Sequence, residues 1–104
     1  MKTYQDLILF VEEQNKLNKK VCFKLVDASV SDGGTITSCF NETKQVIVYV
    51  LDGKIKYQVE NSTYTFAVPY WFEFLSDTNF RMDFVSLVGN KETYTYVYTF
   101  EILD

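Results

Sequence analysis

Fourteen carboxylates, two thiols and no imidazole are what this sequence offers to chemistry. Histidine is the usual general base, the commonest metal ligand and the ordinary partner of a serine or cysteine nucleophile, so those routes lack their central group. Paired acids can cleave glycosidic bonds when held at a fixed separation. Glu73 with Glu101 or Asp83 is one such pairing, but 14 acids guarantee that some pair can be drawn, so the signal has no specificity. Cys22 and Cys39 lie too far apart for a CxxC motif, and two thiols without His do not build a zinc site. A hairpin register setting Asp27 opposite Gly34 would bring the two together, and two unreactive thiols are the expectation even then. The loop SDGG (31–34) lacks the Lys and Ser/Thr of a phosphate-binding loop and leads into a strand pattern. No catalytic residue, metal ligand or cofactor is expected, and the chain is not read as an enzyme.

Aromatic side chains are the abundant resource: nine Phe, eight Tyr and one Trp make up 17% of the chain. Tyr and Trp dominate interaction hot spots, so they point toward recognition. Two segments concentrate them. In YTYVYTF (94–100), strand alternation sets Tyr94, Tyr96, Tyr98 and Phe100 on one side, continued by Ile102. In PYWFEFLSD (69–77), Tyr70, Phe72 and Phe74 fall on one side and Trp71, Glu73 and Leu75 on the other. Both sides cannot easily share one small core, so Trp71 beside Glu73 is expected to be exposed. The expected contact residues are Tyr70, Trp71, Tyr94 and Tyr96, with Glu73 and Glu92 on the polar rim. The bland alternative makes the tyrosine row mostly core and rim, and Trp71 a plug at a sheet corner.

The elements that must hold these residues can be read from periodicity. Thr3 followed by Asp6 resembles a helix N-cap, and Tyr4, Leu7, Ile8 and Val11 form one apolar stripe, widened by Phe10. Lys16, Lys19 and Lys20 gather where the helix should stop, and Asn18 suits a left-handed cap. A helix over about 3–18 follows. After Lys20 the period becomes two, with strand patterns over 20–27, 35–40, 45–51, 54–59, 63–68, 70–75, 81–88 and 93–103. Asp52-Gly53 is a type I′ hairpin signal between two of them. QVIVYVL (45–51) is apolar on both sides and reads as a central strand covered on both faces. The expectation is one α+β domain over 1–104. An N-terminal amphipathic helix packs on one face of a twisted, mainly antiparallel sheet of six or seven strands drawn from these segments. The helix, at about 1.5 Å per residue, is shorter than the last strand, at about 3.3 Å per residue. Phe100 and Ile102 are therefore placed beneath it and the tyrosines toward an uncovered end.

Charge narrows the partners. The net charge is −4, and nine of the ten basic residues are Lys, with Arg81 the single Arg. A nucleic-acid binder needs a concentrated positive footprint, and none is visible. The apolar run Leu7–Val11 is too short for a membrane span or the core of a signal peptide. A cytoplasmic protein with reduced cysteines is expected, monomeric or homodimeric. The Lys-over-Arg bias with many Asn, Tyr and Phe residues is compatible with a phage or another mobile element of low-GC coding. The functional expectation is a small, acidic, non-catalytic protein that binds and modulates or inhibits another protein. Its alternative is a small-molecule binder holding an aromatic or nucleotide-like ligand in a Tyr-lined pocket. Arg81 or Lys91 would have to fold over any anionic ligand among the tyrosines.

Overall fold

The chain opens with a helix whose start is written in four residues. In the computed structural model, which describes residues 1–86 and 92–103, α1 spans Tyr4–Lys16 with Thr3 as N-cap. Thr3 Oγ1 accepts from the Asp6 amide at 3.1 Å, and an Asp6 carboxylate oxygen accepts from the Lys2 and Thr3 amides at 2.8 and 3.0 Å. This reciprocal capping box satisfies amides the helix cannot pair internally. Asn18 leaves the helix with φ +59°, the left-handed exit that Asn tolerates. The stripe Leu7, Ile8 and Val11 is buried.

Among the described residues eight antiparallel strands follow: β1 Lys20–Asp32, β2 Thr35–Ser38, β3 Lys44–Leu51, β4 Lys54–Val59, β5 Ser62–Thr65, β6 Trp71–Phe74, β7 Asn79–Val85 and β8 Thr93–Leu103. Seven of them form the path β5-β4-β3-β1-β8-β7-β6, with β2 paired to β1 beside it. The α+β architecture with one N-terminal helix on an antiparallel sheet is as expected from periodicity. The expected strand 81–88 ends at Val85, and positions 87 and 88 lie outside the described residues, as does Lys91.

The first strand departs from its expected length for a physical reason. It runs five residues past Asp27 because β8 pairs with it from Lys20–Leu103 to Ser31–Thr93, satisfying the backbone of ASVSD. Gly33 (φ +57°) and Gly34 (φ +93°) then make a two-residue turn, and Asp32 pairs with Thr35. This register rules out the juxtaposed thiols. Cys22 lies opposite Ile47 and Glu101, whereas the Cys39 amide bonds the Ala28 carbonyl at 3.0 Å. A β-bulge at Val26 separates the two halves of β1. Before it, the free edge of β1 pairs with β3; beyond it, with β2. A bulge bends a strand and sharpens its twist.

Topology makes the sheet curl. Strands β5 and β6 end the path six steps apart, which would separate them by roughly 29 Å in a flat sheet. The link between them is residues 66–70, which reaches at most about 20 Å. The sheet therefore closes partway around its helix-bearing face. Phe66 shows the result: its ring centroid lies 5.0 Å from Tyr57 of β4, 5.8 Å from Phe23 of β1 and 6.0 Å from Tyr98 of β8. The buried core is Leu7, Ile8 and Val11 of the helix with Val21, Phe23, Val48, Ile55, Phe80, Met82 and Phe100 of the sheet.

The outer face is left to water. Strand β3 is consequently covered on one face and not on two: Val48 is buried, but Ile47 is 43% exposed. Phe100 packs against Phe10 of the helix at 5.2 Å as anticipated. Ile102 does not share that cover and is 40% exposed, although its cross-strand neighbour Val21 is fully buried. Among the described residues no helix is long and apolar enough to cross a membrane.

Candidate functional site

Pairing register divides the expected contact residues between two faces. Trp71 lies opposite Asp83, which lies opposite Thr95, so Trp71 and Glu73 belong to the outer face. Phe72, Met82 and Tyr96 share the inner face with Phe84 and Tyr94. Trp71 and Glu73 are thus one group, with Tyr70 exposed just before β6 at the same sheet edge, and Glu92, Tyr94 and Tyr96 are another. They do not form a single surface.

The first group sits on a sheet edge. Pro69 has no amide to donate and stands where the chain leaves β5 to reach β6. The Tyr70 amide donates to the Asp83 carbonyl at 2.8 Å, pinning the backbone just before β6. Side chains there project outward: Val68 is 80% exposed, Tyr70 77% and Trp71 51%. Beside Trp71 lies an ordered polar cluster. Arg81 donates to both Asp83 oxygens, Nε to Oδ1 at 3.0 Å and Nη2 to Oδ2 at 2.9 Å, and its Nη1 stands 3.9 Å from Glu73 Oε1. Asp83 is buried beneath it. Its hydrogen bond to Asp83 raises the Arg81 guanidinium above its usual range. A bidentate fork of this kind holds its geometry better than a single-contact pair. Alternation sets Trp71 with Glu73 and Arg81 with Asp83 within their own strands; cross-strand register is what brings the two pairs to one face.

The second group grades from core to rim. Tyr98 stacks on Phe80 at 5.5 Å, and burial pushes its phenol up to about 12. Tyr96 packs edge-on against Phe84 at 5.9 Å and is half-buried, which also raises its phenol. Tyr94 donates its hydroxyl to Glu92 Oε2 at 2.7 Å, and that bond to a carboxylate raises its phenol above the ordinary value.

Curvature adds a hollow at the uncovered end whose lining, Tyr98 apart, was not named from the sequence. At the end of the inner face not roofed by α1, a hollow of about 350 Å³ is lined by Phe23, Leu25, Lys44, Val46, Tyr57, Val59, Phe66 and Tyr98. A second hollow of about 330 Å³ lies on the other side of Phe66, between Tyr4 and Ile8 of the helix and Lys54, Ile55 and Val68. Of these residues only Tyr98 belonged to the aromatic row singled out by spacing. The other residues of the first hollow come from three strands, β1, β3 and β4, and from the link after β5, and no local pattern announces their meeting.

Cys22 is buried and its thiol is raised by desolvation, then by Glu101, which disfavours the nucleophilic thiolate. Among the described residues no three of Cys, Asp and Glu cluster as metal ligands. No family model matches the chain, and neither a curated protein nor a solved structure matches it. The molecule is a curled α+β domain with an exposed aromatic edge and an apolar inner hollow.

Proposed function

We propose that this chain is a non-catalytic cytosolic protein that binds another protein and modulates or inhibits it through the edge formed by Tyr70, Trp71 and Glu73. One observation carries the reading: two large aromatic side chains stand mostly exposed on a backbone held by the sheet, beside an ordered Glu73–Arg81–Asp83 cluster. Aromatic anchors with a polar rim are the recurrent make-up of interface hot spots. Holding them on a paired strand lowers the entropy lost on binding. Both cysteines are free thiols, which fits a reducing compartment. The mild acidity and the Lys-rich, Arg-poor composition fit a protein carried by a phage or mobile element and aimed at a host target.

The test is recovery of the protein from its host under gentle conditions, followed by native mass spectrometry. A stoichiometric protein companion is expected. Trp71→Ala should weaken that complex by about 2 kcal/mol or more, roughly thirtyfold. The same change should cost the isolated domain about 1 kcal/mol or less. A companion retained unchanged by both Trp71→Ala and Tyr70→Ala would show that this edge is not the contact.

A further inference from the structure

The inner hollow lies on the opposite face from Trp71 and is a separate feature of the molecule. Its walls are rings set at steep angles: Phe66 stands at 65° to Phe23 and 78° to Tyr98. Val46 and Val59 complete an apolar lining. Its volume of about 350 Å³ falls at the small end of ligand sites, which span roughly 300–1,000 Å³. Rings facing open space forgo dispersion contacts that a flat ligand would restore. One charge breaks the apolar lining. Lys44 stands at the end of β3, opposite Leu25, and among the described residues no carboxylate pairs with it.

We propose that this hollow binds a small, flat, apolar molecule carrying a single negative charge, with its ring system against Phe66, Tyr57 and Tyr98 and the anion at Lys44. A single ammonium matches a carboxylate or sulfonate; a polyphosphate would need a second cation, and the lining has none. Tyr98 stays a neutral phenol throughout the physiological range, so it adds no repulsion to an anion. The site therefore selects against nucleotides and for aromatic acids.

The probes are 1-anilinonaphthalene-8-sulfonate and its uncharged relative N-phenyl-1-naphthylamine, titrated into the full chain and followed by fluorescence and calorimetry. Both should bind saturably at one molecule per chain. Lys44→Gln should weaken the sulfonate by up to about fivefold, as expected for one partly exposed ion pair, and leave the neutral probe within about twofold. Val59→Trp, which adds bulk to an already exposed lining position, should abolish both. If that variant melts early, Val46→Phe fills the hollow from the other wall. Trp71→Ala should change neither titration. Failure to saturate, a stoichiometry above one, binding that survives both filled variants, or binding lost with Trp71 would overturn the assignment. None of these outcomes bears on whether Trp71 contacts a protein.

Discussion

Tyr4 and Tyr98 are phenols held in aromatic surroundings, and burial pushes each up to about 12. In the unfolded chain a tyrosine ionises near pH 10. Between those values the unfolded state has released protons that the native state still holds, so stability falls as pH rises. The contribution is intact below pH 10 and is lost by about pH 12. Spectrophotometric titration of tyrosinate should show at least these two phenols ionising late, together with the loss of near-ultraviolet dichroism. All eight phenols ionising near pH 10 in a still-folded protein would contradict that burial. At the same scale, spacing made Trp71 legible as an exposed ring, because neighbours of alternate sign on a short strand cannot both be core. Arg81 was read as the single arginine and as a cation that an anionic ligand among the tyrosines would need. Its fork to Asp83 needs the two to share one strand face, a signal that alternation does contain.

Local chemistry governs the elements. The capping box makes Thr3→Ala cost about 1 kcal/mol, measurable as a lower urea midpoint at unchanged slope. Asp6 is held below the ordinary carboxylate range chiefly by the Lys2 and Thr3 amides that bond it. A lowered folded value means that its stabilising effect is present above the unfolded pKa and disappears as pH falls through the folded one. The Asp52-Gly53 hairpin was visible as a dipeptide, and both residues adopt positive φ, +56° and +73°. Gly53→Ala should cost about 1 kcal/mol, since nothing crowds the new methyl group and the strain lies in the backbone alone. An unaltered melting temperature would argue against the left-handed turn. Strand β1 was the element misjudged. Serines and an aspartate after residue 27 read as a loop, yet pairing with β8 on one side and β2 on the other overrode that local preference.

At the scale of the whole molecule, the short link between the sheet's two ends sets the shape. Phe66 in that link joins β4, β1 and β8 through one ring and divides the two inner hollows. Phe66→Ala should cost about 3 kcal/mol and merge the hollows into one larger space. Urea denaturation measures the first effect. Binding of N-phenyl-1-naphthylamine with altered affinity measures the second. A loss below about 1 kcal/mol would mean that the curl is held elsewhere. The helix contributes from its own side, since Asn15 Oδ1 accepts the Val50 amide at 3.1 Å and ties the helix end to β3.

What the sequence determined by itself was local: the helix and its cap, the hairpin at Asp52-Gly53, the alternation that orders each strand's faces, and the exposed place of Trp71. These depend on residues within a few positions of one another, where periodicity and turn chemistry act directly. The tertiary structure alone decided that Cys22 and Cys39 lie apart, that Trp71 and Tyr96 occupy opposite faces, and that Phe23, Tyr57, Phe66 and Tyr98 enclose a hollow. Strand order and register are set by contacts between distant segments. The curl that builds the hollow follows from one geometric demand, five residues closing a distance that a flat sheet would not allow them to reach.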